Sequence, residues 1–172
     1  MIVKKKTEAI DMKQKHLLTL LERNARLSVT DLAAALNESE DNILETMNEL
    51  QKEKIICGYH TLINWDKTST ERVMAFIELN ISPEREYGYD RIAKAIYQFE
   101  EVDTMYLLSG SKDFIIFING KTMQEIAKFV GSKLACINEV TGTATSFVLK
   151  TYKVDGVIYE DHKDEDERLI IT

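Results

Sequence analysis

Five apolar residues, Val73, Ala75, Ile77, Leu79 and Ile81, occupy every second position of one stretch. A period of two puts them all on one side of a pleated strand, so the segment belongs in a sheet with one buried face. Pro83 has no N–H to give a ladder and closes the strand. Beyond it the period changes: Ile92, Ile96 and Phe99 mark a helix, and residues 102–109 and 114–118 read as two strands joined by a turn at 110–113. Thr122 and Glu125 then form a capping pattern ahead of a helix carrying Ile126, Phe129, Val130 and Leu134, and residues 143–152 supply a final strand.

Strand, helix, strand, strand, helix, strand predicts a ferredoxin-like βαββαβ domain, an antiparallel sheet with both helices on one face. The other face carries Met74, Phe76, Tyr106, Phe117, Phe147 and Leu149 at alternate positions. That much apolar bulk on an uncovered sheet predicts packing against another subunit, a homodimer at least. The alternative is that residues 157–159 and 169–171 of the same chain fold over this surface or add a hairpin to the sheet edge.

Before the sheet domain the pattern is helical. Ile10, Leu17, Leu21 and Ala25, with Leu18 and Leu20 beside them, line one face of a helix ending near Asn24. Ser28 and Asp31 make a second capping pattern, residues 32–36 are small or apolar, and Asn37 tolerates the left-handed backbone of a sharp stop. Ser39 caps a third helix with Ile43, Leu44, Met47 and Leu50 on its apolar face. Three helices with a short turn between the last two form a helix-turn-helix, winged-helix-like if the β-prone residues 55–63 leave it as a strand. Such units bind DNA or serve as plain structural modules, and periodicity does not choose. The expected fold class is therefore α+β: a helix-turn-helix domain with connecting strand at 1–64, a ligand-sensing sheet domain at 65–154, and an extension at 155–172.

Of the net charge of −7, the extension holds most, with two bases against seven acids. Its run at 160–167 reads as a solvated loop, with an interaction segment as the second reading. Cys57 and Cys136 lie far apart and outside any C-x-x-C pair, so they read as buried apolar side chains rather than as a disulfide or zinc site. His16, His60 and His162 show no ligand spacing, and no metal is expected. The absence of a long apolar run and of an apolar leader predicts a cytoplasmic protein with no membrane partner. No nucleophile elbow or phosphate-binding glycine loop is present, and an enzyme is not expected.

Residues 17–33, 50–59, 102–113 and 141–150, in that order and spacing, resemble the Lrp/AsnC family of bacterial and archaeal regulators from about Ile10 to about Lys153. The resemblance implies an N-terminal unit that binds double-stranded DNA and a C-terminal domain that dimerises through its sheets, with assemblies up to octamers. It also implies an amino-acid effector and no cofactor. Carried over by position, the effector site is Ser109, Gly110, Ser111, Lys112 and Asp113 with Thr141, Thr143 and Thr145. A free amino acid needs an anion for its amine, and hydroxyls, N–H groups or a lysine for its carboxylate, which these residues offer. The alternative reading is a tight turn followed by strand-favouring threonines.

The DNA-facing surface departs from what a duplex attracts. Residues 27–53 hold Lys52 as their only base against seven acids, and Glu40, Asp41, Asn42, Glu45, Thr46, Asn48 and Glu49 lie away from the core. Asn42 or Asn48 can pair with adenine and Glu45 can accept from cytosine, with Ser39 and Thr46 beside them. Phosphate contacts fall to the first 26 residues, with seven bases against three acids, through Lys13, Lys15, Arg23 and Arg26. This predicts weak, salt-sensitive DNA binding. The alternative is a metabolite sensor or protein-interaction module whose degenerate acidic helix-turn-helix no longer binds DNA.

Overall fold

Asp11 opens the first helix of the computed structural model, which describes residues 10–82 and 88–159. Its carboxylate accepts the Gln14 N–H at 2.7 Å while the Gln14 side chain accepts the Asp11 N–H at 3.1 Å, satisfying donors that a helix start leaves free. The helix, α1 (Met12–Arg23), is followed by α2 (Val29–Leu36), where Ser28 and Asp31 cap each other in the same reciprocal way. Asn37 stops α2 at φ 54° and ψ 47°, the left-handed conformation expected of it, and Ser39 caps α3 (Glu40–Lys52). Leu17, Leu21, Leu32, Ala33, Ile43 and Leu50 form the core of this unit. Ala25 and Leu44, both expected on apolar faces, are exposed. Leu44 follows Ile43 by one residue, about 100° around the helix, and misses the seam that Ile43, Met47 and Leu50 make.

The strand expected over 55–63 is absent. The Ile55 and Ile56 amides turn back to Leu50 O at 2.9 and 3.1 Å, both side chains pack on the helical core, and residues 57–63 have no strand partner among the described residues. β-branched composition is a fit to a pleated surface, and here no neighbouring strand provides one. The trihelical unit thus has no β-wing among its described residues.

The described chain divides between Leu62 and Ile63 into two units, each with its own core. After a 3₁₀ turn at Trp65–Lys67, the second unit runs β1 (Val73–Ile81), α4 (Gly88–Tyr97), β2 (Val102–Leu107), β3 (Phe114–Gly120), α5 (Met123–Phe129) and β4 (Val140–Phe147). α5 continues into a π-helical turn, Val130–Leu134. The sheet is antiparallel in the order β2-β3-β1-β4, the ferredoxin-like arrangement. Ala75, Ile77, Leu79 and Ile81 of β1 are buried with Phe114, Ile116 and Ile118 of β3 against Ile92 and Ile96 of α4 and Ile126, Phe129 and Leu134.

The last strand is shifted from its expected span. β4 starts at Val140 and ends at Phe147, because β1, its one neighbour among the described residues, runs out at Val73; the Val148 N–H to Met74 O at 2.9 Å is the last bond between them. The chain then makes a separate two-stranded hairpin, β5 (Lys153–Val154) and β6 (Val157–Ile158), turned by Asp155 (φ 45°) and Gly156 (φ 83°). The open sheet face carries Met74, Phe76, Tyr106 and Phe117, with Phe117 centred 6.2 Å from Phe76 and 6.4 Å from Tyr106. Phe147 is not among them: it pairs with Ala75 and packs on the helix-side core, while Leu149 lies beyond β4 and is 91% exposed. Cys57 and Cys136 are exposed rather than buried: Ile56 beside the first, and Leu134 and Ile137 on either side of the second, take the positions that reach a core. Pro83 and the acidic run at 160–167 lie outside the described residues. No described helix is long and apolar enough to cross a membrane.

Candidate functional site

Residues 79–81, at the end of β1, are held from both sides. On one side Leu108 N–H to Asp113 O (2.7 Å) closes the β2–β3 loop, and the Asp113 N–H reaches Leu79 O at 3.0 Å. The Asp113 carboxylate then accepts the Ile81 N–H at Oδ2 (2.7 Å) and the Tyr89 hydroxyl at Oδ1 (2.9 Å). On the other side Thr143 stands opposite Leu79, Gly142 opposite Asn80, and the Thr141 hydroxyl donates to Asn80 O at 3.2 Å. Asp113 and the pair Thr141 and Thr143 therefore flank the tip of β1 at one end of the sheet, whereas Thr145 stands opposite Ile77, farther along the strand, and no hydrogen bond joins the loop to the threonines among the described residues.

Ser109, Gly110, Ser111, Thr141, Thr143 and Thr145 are exposed there, and Lys112 and Asp113 are half-buried. Lys112 forms no ion pair among the described residues. Arg91 of α4 pairs with Glu139 just ahead of β4, and the Ser82 N–H reaches Glu139 O at 2.8 Å, so the same end is fixed to the helix layer. The Tyr89 hydroxyl is raised above its ordinary pKa because its proton is bonded to the Asp113 carboxylate. Beside it, a cavity of about 350 Å³ opens between Tyr89, Tyr97, Leu107 and Phe114. Neither Tyr89 nor the Arg91–Glu139 pair stood out in sequence, since no spacing rule links a helix to turns more than 20 residues away.

In the trihelical unit the expected DNA contacts separate into engaged and open groups. Glu38 collects two of them, the Lys13 ammonium at Oε1 and the Asn42 amide at Oε2 (2.7 Å). The Lys13 bond holds the Glu38 carboxyl below its ordinary pKa and raises that of Lys13. Ser39 accepts the Asn42 N–H at 3.3 Å, and the Thr46 hydroxyl donates to Asn42 O at 2.8 Å. Lys15, Arg23 and Arg26, and on α3 Glu45 and Asn48, are exposed.

A family model described as the Lrp/AsnC ligand binding domain matches residues 74–158. The uncharacterized HTH-type transcriptional regulator YugG of Bacillus subtilis is 35% identical over 161 residues, 93% of this chain and 96% of that protein. The leucine-responsive regulatory protein of Haemophilus influenzae is 27% identical over 87% of this chain and 90% of its own. Among solved structures, a Neisseria meningitidis transcriptional regulator in complex with L-methionine aligns at TM-score 0.67 with 24% identity, covering 85% of this chain and 94% of that one. Escherichia coli AsnC aligns at 0.65 with 20% identity, over 88% and 99%. The structural likenesses confirm the fold, and the sequence identity over nearly the full length of both chains reaches further: the chain belongs to the Lrp/AsnC family of HTH-type transcriptional regulators, which are not enzymes.

Proposed function

We propose that the protein is an amino-acid-responsive regulator, working in the cytoplasm, that holds double-stranded DNA through its trihelical unit and takes an effector at the end of β1. The observation that carries this reading is that Asp113 of the 109–113 loop and the start of β4 flank residues 79–81 from opposite sides. Lys112, the serine and threonine hydroxyls and the loop N–H groups suit the effector's carboxylate, and Asp113 suits its amine. The relative named leucine-responsive and the fold neighbour holding L-methionine support this ligand class. The apolar open face suits a homodimer and, beyond it, assemblies such as octamers. An effector then changes DNA occupancy only through a difference in its affinity for two quaternary arrangements.

On DNA, Glu45 and Asn48 are the base readers free to act, while Asn42, Ser39 and Thr46 must first release local bonds. Lys15, Arg23 and Arg26 take phosphates, and Lys13 joins them only by leaving Glu38. Anisotropy titrations with duplex from the gene's own upstream region test this, with and without a panel of amino acids. Affinity should fall steeply between roughly 50 and 200 mM salt and change with one or more amino acids. Amino-acid binding without any duplex affinity would instead identify a metabolite sensor that has lost its DNA.

A further inference from the structure

The far end of the sheet, where β3 finishes and α5 begins, holds a cavity of about 230 Å³. Ile118, Ile126 and Phe129 form its apolar floor, and Lys128, Ser132 and Lys133 stand at the rim, the last two on the π-helical turn. Turns of that kind are rare and recur at functional sites. Two acids border the cavity: Glu101 is paired with the Lys133 ammonium at 2.5 Å, and Glu125 is turned to the backbone, where it accepts the Lys121 N–H at 2.7 Å. Lys133 also lies over the Phe99 and Phe129 rings, 5.2 and 5.6 Å from their centroids. An ammonium has three N–H groups, so Lys133 keeps donors to spare, and Lys128 has no ion-pair partner among the described residues. Spare donors above an apolar floor match a small anion with an apolar body.

The cavity also has a wire out of it. Asn119 borders it and accepts Arg72 Nε at 2.9 Å, while Arg72 stands 3.8 Å from Asp103 and its guanidinium sits 5.1 Å from the centre of the Trp65 ring. Trp65 lies in the 3₁₀ turn at the start of the second unit. We propose that this cavity is a second ligand site, separate from the proposed effector end, taking a small monocarboxylate with an aliphatic body. The carboxylate binds Lys128 and Lys133, the body rests on Ile118, Ile126 and Phe129, and occupancy is felt at Trp65 through Asn119 and Arg72.

Trp65 is the chain's only tryptophan, so emission from the full-length protein reads the far end of that wire. Isocaproate is the probe, with isocaproamide and isohexylamine as the neutral and cationic analogues. Isocaproate should give a saturable change in Trp65 emission together with amide shifts at Gly120 and Ser132, and Lys128→Glu should weaken it roughly tenfold or more, as loss of one charge-assisted bond does. Amide shifts without an emission change would overturn the link to Trp65. Equal binding of the amide, unaltered affinity in the Lys128 variant, no shifts at all, or shifts confined to residues 109–113 and 141–145 would overturn the site.

Discussion

Tyr89 donates its hydroxyl to Asp113 Oδ1 at 2.9 Å, fastening the first turn of α4 to the mouth of the β2–β3 loop. The other Asp113 oxygen is bonded to the Ile81 N–H, so one carboxylate ties together a helix, a strand end and a loop at the place where the effector is proposed to bind. An effector amine at Asp113 would share a carboxylate that already holds the fold, one bond on each oxygen.

Asp113→Ala should therefore cost stability before any ligand is added. Leaving the Ile81 amide without its acceptor is worth about 1–3 kcal/mol, read as a lower midpoint in urea or heat without effector. Tyr89→Phe removes one of the two bonds and should fall between wild type and Asp113→Ala. A ligand-induced stabilisation that survives in Tyr89→Phe but disappears in Asp113→Ala would assign the loss to the Asp113 carboxylate and not to the displaced helix. Unchanged stability in Asp113→Ala would contradict the clasp.

The Lys13–Glu38 pair makes the trihelical unit sensitive to acid. Glu38 titrates lower in the fold than in the unfolded chain, so its contribution is complete above the ordinary carboxylate range and is lost as pH falls through its depressed folded value. Lys13 titrates higher in the fold, and its share persists below the ordinary lysine value and is lost only as pH rises past the raised one. Melting curves of Glu38→Gln and wild type should differ near neutrality and converge in acid. A constant gap down to strongly acidic pH would show that the ion pair is not the source.

Asn37 tests the turn between α2 and α3. At φ 54° asparagine is tolerated and glycine is free of strain, whereas a β-branched residue is not. Asn37→Gly should leave stability nearly unchanged or slightly raised, and Asn37→Val should lower it by about 1–2 kcal/mol, with duplex binding lost in parallel. Equal stability of the two variants would mean that the turn rearranges.

Each unit has its own core, so a cavity in one should be felt there first. Leu32→Ala, at a position with no exposed surface, should cost about 2–5 kcal/mol in the trihelical unit and raise hydrogen exchange across residues 12–52. Ile77→Ala should do the same in the sheet. Uniform acceleration of exchange in both units by either change would show one cooperative fold.

Much of this architecture was legible because it rests on short-range physics. Ser28 with Asp31, Asn37, Ser39 and the alternation from Val73 to Ile81 each announce their conformation within a few residues, and the structure has each as expected. Leu44 fails locally, one residue off the seam of its helix, and the other failures are non-local. Residues 55–63 are β-prone without a partner, β4 ends where β1 begins, and the side on which Phe147 lies is decided by its pairing with Ala75, 72 residues away in sequence. The C-terminal hairpin, by contrast, has a local signal: Asp155-Gly156 is a strong hairpin turn pair, and it closes β5 on β6. At the proposed effector end, position along the chain marks the loop and the threonines, but only the folded register reveals Tyr89 and the engagement of both Asp113 oxygens.

The alternating strand at the centre of the sheet also fixes how evolution can edit this gene. Deleting a single codon within β1 would invert the phase of all that follows it, driving residues such as Glu78 inward and Leu79 out into solvent. Deleting two would restore the phase yet slide the strand tip out of step with Asp113 on one flank and Thr141 on the other. Indels in this stretch are closed off in either case, and divergence there must proceed by substitution.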